Sequence, residues 1–121
     1  MATMKGVIKA ANANNAEAQI DLIGVEDKAA VAKEAASNGA HIIGVHTGLD
    51  GQAAGGTVFA DLAAVSEAVG GSAKISVAGG IKANTAQQVK DAGASIIVAG
   101  AAIYGAADPA AAAAEISAIA H

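Results

Sequence analysis

The chain has 121 residues and a formal net charge of −4, and it is 54% hydrophobic but only 2% aromatic. That length fits one domain spanning residues 1–121, and an acidic balance without a basic stripe excludes a nucleic-acid surface. It contains no arginine and no cysteine, and 36 of its residues are alanine; this removes the bidentate phosphate clamp, disulfides, zinc thiolates and a thiol nucleophile, and leaves a thin core that favours a covering partner.

In chain order, the opening stretch MATMKGVIKA has no secretory apolar region and reads as a leading helix over residues 3–14. AQIDLIGV (18–25) is the first of four short, Ile- and Val-rich segments bounded by glycine. Their near-continuous apolar character suits parallel strands covered on both faces. A helix follows over 27–38, opening on Asp27 and placing Val31, Ala32 and Ala35 on one face. HIIGVH (41–46) is the second strand. Gly51 to Gly56 and Gly70-Gly71 read as mobile connections, with a helix over 60–69 that aligns Leu62, Val65 and Val69. KISVA (74–78) is the third strand and ends on Gly79-Gly80. The helix over 84–92 is expected to start at the caps Asn84-Thr85 and to turn Ala86 and Val89 inward. SIIVAG (95–100) is the fourth strand. Asp108-Pro109 then caps a last, alanine-rich helix over 110–120.

A weak internal repeat supports this order. AASNGAHIIGV and VKDAGASIIVA share x-G-A-x-I-I-x-V/A. Gly39 and Gly93 are expected just past helix ends, in a left-handed conformation. Alternating strands and helices imply a parallel α/β sheet with right-handed crossovers. One helix followed by four βα units is half of what a (β/α)₈ barrel needs, about 250 residues. No segment approaches the ~20 apolar residues of a membrane span, so a soluble, cytoplasmic domain is expected.

Ligands of parallel sheets gather at the carboxyl ends of strands. Asp21 shares a face with Gln19 and Ile23, opposite Ile20 and Leu22. A carboxylate in such a strand needs a partner or a task, so Asp21 is a candidate catalytic or hydroxyl-binding group. His46 ends the second strand and is either an acid–base group or a satisfied structural histidine. Thr47 and Asp50 follow it as candidate substrate contacts. Asp21, His46 and Asp50 have no specific metal spacing, and no metal site is assigned. Gly79, Gly80, Gly100 and Ala101 leave bare backbone at two neighbouring strand ends. They either present amides to an anion or merely permit tight packing. His41 and His121 are expected to be bland, and Lys28, Lys33 and Glu34 to form solvated faces. GLDGQAAGG (48–56) matches neither a P-loop nor a dinucleotide fingerprint and is expected to be a flexible loop near the site.

DLIGVEDKA, GVHTGLDGQAAG, SVAGGIKANT and VAGAAIYGAADPAAAAAEI together closely resemble the 3-hexulose-6-phosphate synthases. That family lies in the orotidine-monophosphate-decarboxylase superfamily, beside the 3-keto-L-gulonate-6-phosphate decarboxylases. The resemblance runs from about residue 3 to the end and covers the second half of the family's barrel, strands five to eight. It implies a (βα)₄ half-barrel and a parent reaction of formaldehyde with ribulose 5-phosphate, assisted by magnesium. The family's Asp-x-Lys-x-x-Asp run and early acidic residues, which hold the metal and stabilise the enediolate, are missing from these residues. The resemblance places Asp21 near substrate, His46 on the sugar, and Gly79, Gly80, Gly100 and Ala101 around the phosphate. Leu49 and Ala101 stand where the decarboxylase branch has arginines, which favours the synthase branch. The expected ligand is a sugar phosphate or inorganic phosphate, with no cofactor held by this chain alone. The chain alone is expected to be inactive and to pair with a complementing half-barrel or a second copy that closes eight strands. The rival expectations are an active homodimer and a structural module without a ligand.

Overall fold

The computed structural model describes residues 2–46 and 55–120. The elements are α1 (Ala2–Ala13), β1 (Gln19–Asp21), α2 (Lys28–Ser37), β2 (Ile42–His46), α3 (Gly55–Val69), β3 (Lys74–Ala78), α4 (Ala83–Asp91), β4 (Ile96–Ile97), α5 (Ala101–Tyr104) and α6 (Pro109–Ala120). The strands form one open sheet in the order β1-β2-β3-β4, and every pairing is parallel. This is the four-unit α/β half expected from the alternation of strands and helices.

The helix starts and stops follow local chemistry. Asp27 Oδ1 accepts from the Ala30 amide at 3.0 Å, and Asp108 Oδ1 from the Ala111 amide at 3.1 Å. Each satisfies an otherwise orphaned donor of a first turn. After α2, the Ala40 amide bonds to the Ala35 carbonyl and the Gly39 amide to Ala36; after α4, Ala94 bonds to Val89 and Gly93 to Lys90. Both ends are Schellman motifs, with φ of 95° at Gly39 and 118° at Gly93. The internal repeat is therefore a repeated helix-to-strand turn. At α4 the structure corrects the expected cap. The N-cap is Lys82 rather than Asn84-Thr85, because Thr85 sits in the first turn and its Oγ1 accepts from the Lys82 amide at 3.0 Å.

Two strands are shorter than expected. β1 stops at Asp21 because the Asp21 carboxylate captures the Ile23 amide at 2.8 Å and the Val25 amide turns back to the Leu22 carbonyl. β4 is reduced to Ile96–Ile97 because Gly100 already caps α5, a short helix absent from the sequence reading. The ladder still extends on both sides of β4, through the Ser95 amide to Ile75 and the Val98 amide to Val77. α3 begins at Gly55, so Gly55-Gly56 are helical rather than a connection.

The core lies between the sheet and its helices. Leu22, Ile43, Val45, Ile75 and Val77 point from the strands toward Ile8, Ala32, Ala35, Leu62, Val65, Val69, Ala86, Val89 and Ile116 of the helices. The other sheet face carries Gln19, Asp21, His46, Lys74 and Val98, all exposed, with Ile42, Ala78 and Ile96 half-buried and Gly44 and Ser76 buried between them. Helices therefore cover one face and leave the second open. Among the described residues, no helix is long and apolar enough to cross a membrane.

Candidate functional site

The parallel register arranges the open face in tiers. Asp21 pairs with Gly44, Gly44 with Ser76, and Ser76 with Ile96. One step toward the carboxyl ends, His46 pairs with Ala78. Asp21 and His46 thus share the uncovered face, on adjacent strands and offset by one tier. A Cβ on Gly44 would stand 2.9 Å from Gln19 Nε2 and 3.5 Å from Asp21 Cγ. Glycine at that position is what leaves room for the two side chains beside it.

Asp21 is exposed, and its protein partner is the Ile23 amide. The carboxylate is solvated, with one oxygen held by its own turn. This corrects the premise of a buried strand carboxylate, since the helix-facing positions are Ile20 and Leu22. His46 is exposed at the strand end. His41 is structural: its Nδ1 accepts from the Ala18 amide at 3.0 Å and ties the start of β1 to β2. Thr47 and Asp50, with the loop 48–54, lie outside the described residues.

The bare strand ends come together. Gly80, Ile81 and Lys82 from the end of β3 and Gly100, Ala101 and Ala102 from the end of β4 line one recess of about 40 Å³. Gly79 and Gly80 have φ of 101° and 72°. L side chains seldom adopt such conformations, so the two glycines are required by the backbone path. Gly79 precedes the recess but does not line it. Lys82, which the sequence reading passed over, is the cation on its wall. Its signal was its place two residues after a strand-end Gly-Gly in a chain without arginine. Larger hollows lie elsewhere, such as one of about 470 Å³ around Glu17, His41 and Lys74. That hollow is at the amino ends of the strands, away from Asp21 and His46.

Among the described residues no three His, Asp or Glu side chains converge as a metal site. Asp21 is the sole carboxylate of the open face in the described strands. One carboxylate and one imidazole do not make the oxygen-rich shell that magnesium demands. These residues by themselves do not fit that ion, and no chemical step is assigned to it here.

A parallel four-stranded sheet with one face bare, a carboxylate and an imidazole toward its carboxyl ends and a small-residue recess between its last two strands has the architecture of half of a (β/α)₈ barrel. The Orotidine 5'-phosphate decarboxylase / HUMPS family model matches residues 1–116, and the chain belongs to that family. It is 68% identical over 120 residues to a 3-hexulose-6-phosphate synthase of Methylomonas aminofaciens, covering 99% of this chain and 57% of the relative. It is 49% identical over 116 residues to the synthase of Mycobacterium gastri, covering 96% and 55%. A crystal structure of a 3-hexulose-6-phosphate synthase superposes with a TM-score of 0.77 at 43% identity, over 99% of this chain and 57% of that one. The 3-hexulose-6-phosphate synthase structure from Salmonella typhimurium gives 0.81 at 36% identity, over 98% and 56%. The chain spans about half the length of the relatives it matches.

Proposed function

We propose that residues 1–121 are the sugar-phosphate-holding half of a 3-hexulose-6-phosphate synthase barrel, competent in turnover only when the other half is supplied. The observation that carries this reading is the convergence of Gly80 and Gly100–Ala102 on one recess beside the carboxyl ends of the strands. A water-sized group needs about 10–15 Å³ of such space, so the recess holds only a few of them. It suits an oxyanion group approached by backbone amides and is too small for a sugar ring. The ring then extends over the open face, toward His46 and Asp21. Lys82 adds the charge that an arginine would otherwise supply.

In the parent reaction, C1 of ribulose 5-phosphate loses a proton to give an enediolate, which adds to the carbonyl carbon of formaldehyde. The new carbon–carbon bond forms as the aldehyde oxygen takes up a proton. Here Asp21 and His46 are assigned to hold sugar hydroxyls and to relay protons at the face they share. Enediolate stabilisation is assigned to the complementing half.

The test is formaldehyde-dependent consumption of ribulose 5-phosphate with magnesium. The chain alone should show none, and the chain mixed with the complementing segment of a relative should show turnover that Asp21→Asn or His46→Gln abolishes. Separately, inorganic phosphate at tens of millimolar should raise the melting temperature of the chain, as linkage requires of any ligand of the folded state. Gly100→Asp should remove that rise. Turnover by the unmixed chain would favour an active homodimer, and no phosphate effect on the unsubstituted chain would favour a module without a ligand.

A further inference from the structure

Ser76 is the one buried polar side chain among the described residues, 3% exposed. It sits in the middle of β3, between Ile75 and Val77, whose side chains enter the helical core. Strand parity puts Ser76 on the opposite face, the face of Asp21 and His46. Its Oγ makes no hydrogen bond to the described residues. It is not sealed from solvent either, since every fully buried side-chain nitrogen or oxygen there has a partner. A hydroxyl that keeps only a narrow opening and no protein partner costs stability unless something reaches it through that opening.

The neighbouring strands supply the counterpart. The tier through Ser76 runs Asp21, Gly44, Ser76, Ile96. Gly44 adds no side chain, so Asp21 and Ser76 stand on either side of a bare strand. Strands two apart in a sheet lie about 10 Å from each other. An oxygen that accepts from one group and donates to another spans about 5 Å between them, and the two side chains cover the rest. The chemistry is directional. An ionised carboxylate only accepts, whereas a serine hydroxyl can also donate. Asp21 Oδ1 accepts from the Ile23 amide, and Oδ2 remains to accept from a ligand. His46, one tier further along the strand of Gly44, stands at the end of the slot nearest the carboxyl ends.

We infer that Ser76 and Asp21, across the bare Gly44, form a subsite for one hydroxyl of the sugar chain, which accepts from Ser76 Oγ and donates to Asp21; the inference rests on the sugar-phosphate reading above. The recess beside Gly80 and Gly100 grips any phosphate ester alike. Selection among such esters therefore falls to the groups beyond it. A slot built to pair with a hydroxyl rejects a ligand that brings none, because its own polar groups are then left unpaired.

The test is calorimetric titration of the chain with ribulose 5-phosphate and, separately, with inorganic phosphate. It compares the unsubstituted chain with Ser76→Ala and Gly44→Ala. The unsubstituted chain should bind ribulose 5-phosphate more tightly than phosphate. Ser76→Ala should weaken ribulose 5-phosphate about three- to tenfold, the loss of one hydrogen bond, and leave phosphate binding unchanged. The melting temperature of the unliganded Ser76→Ala chain should hold or rise, since no protein hydrogen bond is lost. Gly44→Ala fills the slot and should abolish the preference for ribulose 5-phosphate. Its Cβ would meet Gln19 Nε2 at 2.9 Å, the end of a flexible side chain that can swing aside, and Asp21 Cα at 3.4 Å, so the fold tolerates it. Equal affinity of the unsubstituted chain for the two ligands overturns the inference. So does ribulose 5-phosphate binding that ignores Ser76→Ala, or a preference that survives Gly44→Ala. Parallel losses of melting temperature and of affinity for both ligands in Ser76→Ala would make the hydroxyl structural and overturn it as well. Phosphate that fails to bind, while ribulose 5-phosphate binds in a Ser76-dependent way, upholds the subsite and counts only against the recess.

Discussion

Replacing Gly93 by alanine tests how firmly the second half of the recess is held. Gly93 joins α4 to β4, and Gly100–Ala102 hang on that two-residue strand. At a φ of 118° an added Cβ would lie 2.6 Å from Ser66 Cβ and closer still to Ser66 Oγ, on α3. Two costs are involved. The backbone conformation is worth about 1–3 kcal/mol against any L side chain. Overpacking against α3 adds about 1–3 kcal/mol, because the partner atom is a Cβ fixed to a helix rather than the end of a flexible chain. The sum is about 2–6 kcal/mol. Gly71→Ala isolates the first cost, since its φ is 83° and nothing lies within 4 Å of the added carbon; it should lose only about 1–2 kcal/mol. Urea unfolding followed by far-ultraviolet circular dichroism is the assay, as the chain has no tryptophan. At a slope of about 1–2 kcal/mol per molar for a domain this size, Gly93→Ala should lower the midpoint by at least about 0.5 M more than Gly71→Ala does. A Ser66→Gly/Gly93→Ala double variant should recover the packing cost and show a coupling above about 1 kcal/mol. Equal losses for Gly93→Ala and Gly71→Ala, or zero coupling to Ser66, would refute the close approach of α3 to this turn.

The remaining predictions address the caps, the core and the open face. Asp108→Ala and Asp27→Ala each remove a side-chain acceptor from a first helical turn and should each cost about 1 kcal/mol in the same titration. Leu62→Ala deletes a fully buried side chain of α3 and should cost about 2–5 kcal/mol. His41→Phe strands the Ala18 amide; thermal melts should show a loss of about 1–3 kcal/mol, whereas His46→Gln, at an exposed strand end, should stay within about 0.5 kcal/mol of the parent.

The fold was legible where local chemistry and burial agree. Asp27 and Asp108-Pro109 announced two helix starts. The repeated glycine before Ile-Ile points to two like turns, because a helix that ends on a left-handed residue favours glycine there. Leu62, Val65, Val69, Ala86 and Val89 announced the buried faces of α3 and α4. Strand ends were less legible, since they depend on which neighbour takes each amide. Asp21 ends β1 by binding the Ile23 amide, and a sequence shows the carboxylate without its choice of donor. For the same reason the sequence suggests Thr85 as a cap, whereas its Oγ1 accepts from the Lys82 amide from within the first turn.

The site divides along a similar line. That Gly79-Gly80 and Gly100-Ala101 end adjacent strands follows from a four-unit parallel order with right-handed crossovers, and Gly80 and Gly100-Ala101 meet there in one recess while Gly79 stays outside it. Lys82 escaped notice because a lysine after a turn is ordinarily solvated, and only the wall of the recess gives it a place. Asp21 and His46 show the opposite limit. Their shared face could be read from strand parity, but parity says nothing of what covers that face. Gln19, Asp21, His46, Lys74 and Val98 stand exposed on that face while Gly44 and Ser76 between them are buried, a difference set by which side chains lie over which tier and not by the alternation of the strands.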